Sequence, residues 1–270
     1  MINDDTFRLD GLRVLMTGAL GILGGPCCDA LARAGADVIV GDLDGEACKE
    51  RAAILTEEWG TPADGFGVDL ADESSVTALR DVLAERGLEP DVLVNAAATK
   101  SPNFFAPLEL FPLDDWNQVM AVNVAGMFLM LRAFIPSMVR RGHGTVVNFG
   151  SIYGLLGPDP RIYDGATYEA MGGSINTPLV YSASKGAVIA MTRHIATVYG
   201  SAGIRANTLV PGGVESGQNE TFVRNYASRV PQGRMGTPDD IARTLVWLSA
   251  PASAYVNGQT VVVDGGLSAW

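Results

Sequence analysis

The chain has 270 residues, 47% of them hydrophobic, which is enough for one large domain over 1–270 with a substantial core. The formal net charge of −11 and the absence of a basic run argue against a nucleic-acid partner. The three cysteines form no disulfide framework, and His143 and His194 lie too far apart to suggest a zinc site. With no signal-peptide pattern and no uncharged apolar run of transmembrane length, we expect a cytoplasmic protein without a metal or membrane partner.

The N-terminal part predicts a nucleotide-binding unit. A short apolar strand over 12–17 is followed by a glycine-rich loop and by a helix that runs to Ala34. Glycines allow the backbone to approach a pyrophosphate closely, and the helix N-terminus offers free N–H groups and the positive end of its dipole. Strand, loop and helix in this order therefore predict a dinucleotide site built on Gly18, Gly21 and Gly24.

An acidic residue follows the second predicted strand, which covers 37–40. Asp42 lies where a carboxylate hydrogen-bonds the adenosine ribose and repels a 2′-phosphate. No Arg or Lys occurs over 34–46 to bind such a phosphate. We therefore expect NAD(H) as the cofactor in preference to NADP(H). The alternative is that Asp42 only caps the helix that starts near Asp44.

The remaining chain alternates between predicted strands and helices. Strands are predicted over 65–68, 91–94, 145–149, 204–210 and 260–263. Helices are predicted over 45–59, 72–86, 113–138, 178–199 and 238–249. This alternation is typical of a parallel sheet covered by helices. It predicts an α/β fold: a three-layer, doubly wound Rossmann sheet of about seven strands with helices on both faces.

A phenol and an ammonium group lie four residues apart in the predicted helix 178–199. Tyr181 and Lys185 share a helix face at this spacing. A neighbouring cation favours the ionised form of an acid, so we expect Lys185 to lower the pKa of Tyr181 and to prepare it for proton transfer near neutral pH. Two long irregular stretches, 152–177 and 214–237, follow strand ends at the edge where such sheets bind ligands.

Several motifs occur together in one order along the chain. They are Thr17-Gly18, Gly21 and Gly24, then Asp69, Asn95-Ala96-Ala97, Asn123-Val124-Ala125-Gly126, Ser151, Tyr181 with Lys185, and Pro211-Gly212. In this order the chain resembles the short-chain dehydrogenase/reductase family from about Leu12 to its last strand. The resemblance implies hydride transfer between a nicotinamide cofactor and a secondary alcohol or ketone, and a homotetramer or homodimer.

The resemblance assigns four catalytic residues. It makes Tyr181 the general acid/base on the substrate oxygen and Ser151 the hydroxyl that holds this oxygen. It implies that Lys185 binds the nicotinamide ribose and lowers the pKa of Tyr181. It implies that Asn123 holds a water molecule that links Lys185 to solvent.

The resemblance also assigns a larger set of residues to the cofactor. They are Thr17, Gly18, Gly21, Ile22, Gly24, Asp42, Leu43, Asp69, Leu70, Asn95, Ala96, Ala97, Tyr181, Lys185, Pro211, Gly212 and Val214.

The stretch 152–177 departs from the family pattern. Ser151 and Tyr181 are 30 residues apart, well above the usual spacing in the family. We expect these extra residues to form a lid or wall on the substrate side; an oligomer contact or a plain surface loop is the alternative. Within it, Arg161 could pair with a substrate carboxylate or phosphate, or only with Asp159 or Asp164. The candidate substrate residues are Ser151, Tyr153, Arg161 and Gly213.

The substrate is predicted less sharply than the reaction. The insertion resembles a branch of the family near bacterial sugar modification, which includes gluconate 5-dehydrogenase-like enzymes. The leading hypothesis is an NAD(H)-dependent oxidoreductase for a sugar, a sugar acid or a related polar substrate. One alternative is a 3-oxoacyl-thioester (acyl carrier protein) reductase, against which Asp42 argues. Another is a dinucleotide-binding protein without catalysis.

Overall fold

A computed structural model of the protein describes residues 4–168 and 173–270. Its strands are β1 (Arg13–Thr17), β2 (Asp37–Asp42), β3 (Ala63–Gly67), β4 (Val92–Asn95), β5 (Gly144–Phe149), β6 (Thr167–Tyr168), β7 (Gly173–Ser174), β8 (Ile204–Pro211) and β9 (Thr260–Val263). Seven of them form a parallel sheet in the order β3-β2-β1-β4-β5-β8-β9, whereas β6 and β7 form a separate antiparallel pair. The predicted α/β class and strand number are confirmed.

Helices connect the strands of the sheet. They are α1 (Gly24–Arg33), α2 (Gly45–Trp59), α3 (Glu73–Glu85), α4 (Leu113–Met120), α5 (Met127–Arg141), α6 (Leu179–Tyr199), α7 (Glu220–Ala227) and α8 (Pro238–Ser249). Asp72 caps α3 and Thr237 caps α8, each through a side-chain oxygen that accepts a backbone N–H. The third strand begins two residues before its predicted start, because Ala63 and Asp64 pair with Val38 and Ile39 of β2.

Two apolar cores cover the two faces of the sheet. Along β1, Val14 and Met16 belong to the core under α1 and α8, whereas Leu15 belongs to the core under α3, α5 and α6. Successive strand residues point to opposite faces, so one strand contributes to both cores. The central strands β4 and β5 are buried along their whole length, as expected for strands covered on both sides.

The predicted helix over 113–138 is interrupted. A π-helical turn, Ala121–Gly126, lies between α4 and α5. Gly126 packs so closely on the chain after β3 that an added Cβ would lie 2.7 Å from the Cβ of Leu70. The turn places Asn123 inside the protein with only 2% of its surface exposed. Local rearrangements of this kind often occur at functional sites.

The combined helical stretch Leu113–Arg141 is long and apolar enough to cross a membrane by length and composition, with a mean hydropathy of 1.7. It carries charges such as Arg132, so it is not an uncharged run. Met130, Phe134 and Met138 on this stretch are buried in the core below the sheet. Its apolar character is therefore that of a helix packed on a sheet.

The two long irregular stretches pack against each other. Ile152 and Ile162 from the first stretch share a third apolar cluster with Phe222 and Tyr226 from the second, over Val210 of β8. The second stretch is less irregular than expected, because Asn219 caps the short helix α7 inside it. Of the first stretch, Glu169 and its neighbours over 169–172 lie outside the described residues. This third cluster positions the described part of the insertion beside the carboxyl ends of β5 and β8.

A hydrogen-bonded cap fixes the entry to α8, and this gives a stability prediction. The Asp240 carboxylate accepts two bonds from Arg234 at 2.7 and 3.1 Å and one from the Thr237 amide at 2.8 Å. We expect Asp240→Asn to lower the free energy of unfolding at neutral pH by about 1–2 kcal/mol, because it removes a charge-assisted network. Thermal denaturation should show a loss of about 3–6 °C.

The same variant gives a dependence on pH. The hydrogen bond from Arg234 holds the pKa of Asp240 well below its ordinary value. Its contribution is therefore complete above the ordinary pKa and disappears as the pH falls through the lowered pKa, so wild type and variant should converge in acid. As a control, Asp239→Asn should change the free energy by less than about 0.5 kcal/mol, since its side chain is exposed. Equal losses for both variants would contradict the prediction.

Candidate active site

A cleft of about 460 Å³ opens at the carboxyl ends of β1 and β4. The strand order reverses between these neighbours, which is where doubly wound sheets bind nucleotides. Eleven of the residues predicted for the cofactor line this cleft: Thr17, Gly18, Gly21, Ile22, Gly24, Asp42, Leu43, Asp69, Leu70, Ala96 and Ala97. The fold thus gathers segments that are far apart in sequence.

The glycine loop packs closely against the protein's own backbone, which requires glycine at two of its positions. Gly18 has a φ of 70°, and an added Cβ would lie 2.7 Å from the backbone nitrogen of Ala97. An added Cβ at Gly24 would lie 2.6 Å from the carbonyl carbon of Ala19. Helix α1 starts at Gly24 without a side-chain cap; the Gly25 amide donates to the Gly21 carbonyl at 3.2 Å, and Pro26 has no N–H group. A helix N-terminus without a side-chain cap behind a narrow glycine loop fits the pyrophosphate of a dinucleotide.

The Asp42 carboxylate lies at one end of the cleft. It accepts hydrogen bonds from the amides of Leu20 at 3.0 Å and Leu43 at 2.8 Å. The cap of α2 is Asp44, which accepts bonds from Glu46 and Ala47. The alternative that Asp42 only caps this helix is therefore wrong. The carboxylate is fixed by backbone donors at the rim, where a ribose hydroxyl could reach it.

Asn95 does not line the cleft. Its side chain is 3% exposed and donates to Asn148 of β5 at 2.8 Å. Asn148 in turn donates to the Thr192 hydroxyl of α6 at 2.9 Å. Asn95 therefore joins a buried polar network between two strands and a helix, and a direct contact with a cofactor is not favoured.

The catalytic candidates meet beyond the end of β5. Ser151 follows this strand in an extended conformation, with 6% of its surface exposed. Its hydroxyl accepts the amide of Tyr153 at 3.2 Å and lies close enough to the Tyr181 phenol to lower the pKa of that phenol. Tyr181 stands on the first turn of α6, with its ring packed edge-on against Phe104 at a centroid distance of 6.2 Å. Strand and helix thus bring together two hydroxyls that the insertion separates in sequence.

Lys185 is buried beneath Tyr181, with 4% of its surface exposed. Its Nζ donates to the carbonyl of Phe149, the last residue of β5, at 2.8 Å and lies 5.8 Å from the centroid of the Tyr181 ring. Burial lowers the pKa of Lys185 to about 8. The Lys185 ammonium group can therefore lose its proton at a pH only slightly above neutral.

The expected lowering of the Tyr181 pKa is not found. Burial raises the pKa of Tyr181 above its ordinary value, and the hydrogen bond from Ser151 opposes this only in part. Desolvation penalises the phenolate, and the Lys185 ammonium group, 5.8 Å from the centroid of the ring, does not offset this penalty. Tyr181 is therefore a protonated phenol near neutral pH.

Asn123 connects the π-helical turn to this group. Its Oδ1 accepts the amide of Thr99 at 3.0 Å, and its Nδ2 donates to the Ser184 hydroxyl at 3.2 Å. Ser184 donates to the carbonyl of Tyr181 at 2.8 Å. The side chain of Asn123 thus fixes the loop after β4 against the helix that carries Tyr181 and Lys185.

A second cavity of about 350 Å³ adjoins the Tyr181 side chain. It shares Ala98 and Thr99 with the first cleft, so the two are neighbours at the sheet edge. Its polar lining consists of Thr99, Lys100, Ser151, Tyr153, Tyr163, Asn176, Thr177, Tyr181, Ser216 and Gln218. Among the described lining residues, Lys100 alone has a side chain that is charged near neutral pH, and burial lowers its pKa.

Two candidate substrate residues line this cavity and one does not. Tyr153 and Gly213 contribute to its wall. Arg161 instead forms a bidentate ion pair with Asp159, at 2.8 and 2.7 Å, and its side chain is 74% exposed. The interpretation of Arg161 as a substrate anchor is therefore corrected: it takes the alternative that the sequence left open.

The predicted residues after β8 divide between packing and lining. Pro211 pairs with Val263 of β9. Gly212 lines the second cavity. Val214 lines neither cavity; it forms a bridge with Gly236, and its carbonyl accepts the Gln218 amide at 3.1 Å.

Sequence reasoning missed several residues of the second cavity. Thr99, Thr177 and Gln218 belong to no motif that the sequence analysis used. Thr177 lies four residues before Tyr181, a position that could have pointed to the site. The other two are placed by loops that approach only in the folded chain.

Comparison with known proteins adds an independent line of evidence. A family model described as short chain dehydrogenase matches residues 13–227. A protein named inactive 2-(S)-hydroxypropyl-CoM dehydrogenase 2, from Xanthobacter autotrophicus, is 38% identical over 89% of this chain and 98% of its own. D-threitol dehydrogenase from Mycolicibacterium smegmatis is 34% identical over 97% of this chain and 95% of its own.

A solved structure shares the whole fold. The gluconate 5-dehydrogenase from Burkholderia cenocepacia J2315, in complex with NADP and tartrate, superposes with a TM-score of 0.87. It is 33% identical to this chain and covers 98% of both chains. The similarity therefore extends over nearly the whole chain, including the segments that line the two cavities.

The buried ammonium group predicts a separation of stability from function. Below pH 8, folding buries a charged Lys185, so we expect Lys185→Met to raise the melting temperature of the protein without cofactor, by about 3 °C for each kcal/mol relieved. Between about pH 8 and the ordinary lysine pKa near 10.4, the unfolded state binds more protons than the native state, so wild-type stability rises with pH.

The advantage of the methionine variant should therefore shrink across this range. Thermal denaturation at a series of pH values measures it, with Lys49→Met as an exposed control. A variant that is less stable than wild type at pH 7 would show that the bond to Phe149 outweighs the cost of burial.

Proposed function

The chain belongs to the short-chain dehydrogenase/reductase family, and from this premise we propose that it interconverts a secondary alcohol and a ketone of a polyol, sugar or sugar acid with NAD(H). The observation that carries the proposal is the placement of Tyr181 and Ser151 together on the wall of a polar cavity beside the dinucleotide cleft. We further propose that 1–270 forms one dinucleotide-binding domain.

The proposed mechanism assigns the proton to Tyr181 and the orientation to Ser151. The bound dinucleotide supplies or accepts the hydride. In the reductive direction, the protonated phenol of Tyr181 donates its proton to the developing alkoxide while the Ser151 hydroxyl holds the same oxygen. In the oxidative direction, Tyr181 must first lose its proton, and Lys185 with a pKa of about 8 is the neighbouring group suited to pass it on.

The preference for NAD(H) rests on Asp42. Its carboxylate is already held by two backbone amides, and it therefore cannot turn away to accept a 2′-phosphate without losing both bonds. Among the described residues of the cleft, Asp42 and Asp69 are the charged ones, and both are acidic. The similar gluconate 5-dehydrogenase was solved with NADP, so the preference for NAD(H) in this chain is argued from the acidic rim alone.

The polar substrate class rests on the second cavity. Hydroxyl and amide side chains supply most of its polar lining, which suits a substrate rich in hydroxyl groups. Lys100 adds one cation, which would bind the carboxylate of a substrate such as an aldonate. The named relatives act on threitol and gluconate according to their names, which fits both readings.

The two alternatives find less support in the site. A 3-oxoacyl-thioester reductase would be expected to prefer NADPH, against which the acidic rim at Asp42 argues. A non-catalytic role gains some weight from the relative that is named inactive. In this chain, however, Asn123, Ser151, Tyr181 and Lys185 are all present, and Asn123 is linked through Ser184 to the backbone of Tyr181, which favours catalysis.

We also propose a cytoplasmic homotetramer. Helices α4 to α6 expose large apolar side chains, including Leu113 at 71%, Phe128 at 50% and Leu179 at 56%. Such side chains on neighbouring helices suit an interface between identical subunits.

Loss of the phenol tests the proposed function directly. We expect Tyr181→Phe to lower kcat by at least about a hundredfold, because it removes the general acid/base, while the dissociation constant for NADH stays within about threefold. The assay follows NADH absorbance with NAD and a panel of polyols and aldonates, including D-threitol, galactitol and D-gluconate. Tyr255→Phe, at a fully exposed tyrosine, is the matched control.

No turnover of any panel member by the wild type would refute the proposed substrate class. Retained turnover by Tyr181→Phe would refute the catalytic assignment.

The cofactor preference is tested at Asp42. We expect Asp42→Ala to lower kcat/KM for NAD by about tenfold or more, because a charge-assisted hydrogen bond to ribose is lost, and to lower it much less for NADP. Asp37→Ala, at the other end of β2, is the control. A wild type that prefers NADPH over NADH would overturn the assignment.

A further inference from the structure

Three hydroxyl groups from the insertion form a hydrogen-bonded chain on the wall of the second cavity. The Tyr163 hydroxyl donates to the Tyr153 hydroxyl at 2.7 Å and also bonds the Thr177 hydroxyl. All three side chains line the cavity together with Ser151 and Tyr181. These three hydroxyls therefore lie beside the place where the reacting oxygen binds.

Each of the three residues in this hydroxyl chain is held in place by the local structure around it. Tyr153 lies in a short 3₁₀ turn that Ser151 caps, and Thr177 lies two residues before the start of α6. Tyr163 ends another 3₁₀ turn, and its ring packs against Phe222 at a centroid distance of 5.8 Å. The hydroxyls are thus fixed relative to Tyr181 by the same elements that fix the catalytic residues.

The three hydroxyls can form hydrogen bonds beyond those that they make with one another. Three hydroxyls provide three donor protons and six acceptor lone pairs, of which the two bonds use two each. A further contact between Thr177 and Tyr153, which opposes the rise in the Tyr153 pKa, still leaves acceptors available. Burial raises the pKa of both Tyr153 and Tyr163, so neither becomes a phenolate near neutral pH. A neutral group that can donate a hydrogen bond, such as a hydroxyl, is the best complement to such a wall.

We propose that this hydroxyl chain is a subsite for a second hydroxyl group of the substrate, on the carbon next to the one that is oxidised. The inference rests on the proposed function and sharpens it, because it selects vicinal diols over simple secondary alcohols. The vicinal hydroxyl bonds to the chain while the reacting hydroxyl bonds to Ser151 and Tyr181. The insertion thereby sets specificity through three neutral hydroxyls, and its exposed Arg161 has no part in this.

The test compares meso-2,3-butanediol with 2-butanol, which share four carbons and differ by one hydroxyl. We expect the wild type with NAD to have a higher kcat/KM for the diol. Tyr163→Phe keeps the ring that packs on Phe222 and removes the central hydroxyl, so it should reduce the preference for the diol by about five- to tenfold, the value of one neutral hydrogen bond. Thr177→Val, which keeps the side-chain shape, should act in the same direction.

Controls separate recognition from folding and from the proposed function. Melting temperature and NADH affinity show whether each variant is folded, and Thr177→Val carries the test if Tyr163→Phe is not. Tyr255→Phe should leave the preference as in the wild type. A wild type without preference for the diol, including one that oxidises neither alcohol, would overturn the inference, as would variants that lower both rates equally. Failure of the proposed function is read separately, as absence of turnover across the panel of polyols and aldonates.

Discussion

The buried hydrogen bond from Lys185 to the Phe149 carbonyl is the contact on which the site depends. It joins the helix that carries Tyr181 to the last residue of the strand that precedes Ser151. An added Cβ at Gly154 would lie 2.7 Å from the backbone of Lys185, so the start of the insertion is packed against the same helix. Strand end, turn and helix therefore form one unit, and the insertion can extend the connection between Ser151 and Tyr181 without separating them.

The substrate side is built from the two long stretches that follow β5 and β8. Each buries few apolar side chains by itself, but together they form a third apolar cluster. This cluster positions Tyr163 and Phe222 at the cavity, while Asn219 and Asn225 of the second stretch bond backbone carbonyls of the first. The wall of the cavity is thus a product of contacts between connections and not of the sheet alone.

Much of this could be predicted from the sequence, and the failures share a physical cause. Gly18, Gly24 and Asp42 were placed correctly in the cleft because backbone geometry and strand order fix them. The pKa of Tyr181 was predicted in the wrong direction, because spacing on a helix gives the distance to Lys185 but not the desolvation of both groups. The resemblance assigned Asn95 to the cofactor, and the sequence could not show that its side chain instead bonds Asn148, because that residue lies on another strand.

The sequence by itself determined the class of fold, the order of the strands along the chain, the family and the residues proposed to carry the reaction. These depend on periodicity, on glycines at tight turns and on residue types at the ends of predicted elements, all of which are local properties. Only the tertiary structure decided the π-helical turn at Asn123, the ion pair that removes Arg161 from the cavity, and the hydroxyl chain of Tyr153, Tyr163 and Thr177. These depend on burial and on contacts between distant segments, and neither is written in the spacing of residues. The spacing of Tyr181 and Lys185 identifies this pair, but the protein interior around them sets the protonation state of each side chain at neutral pH.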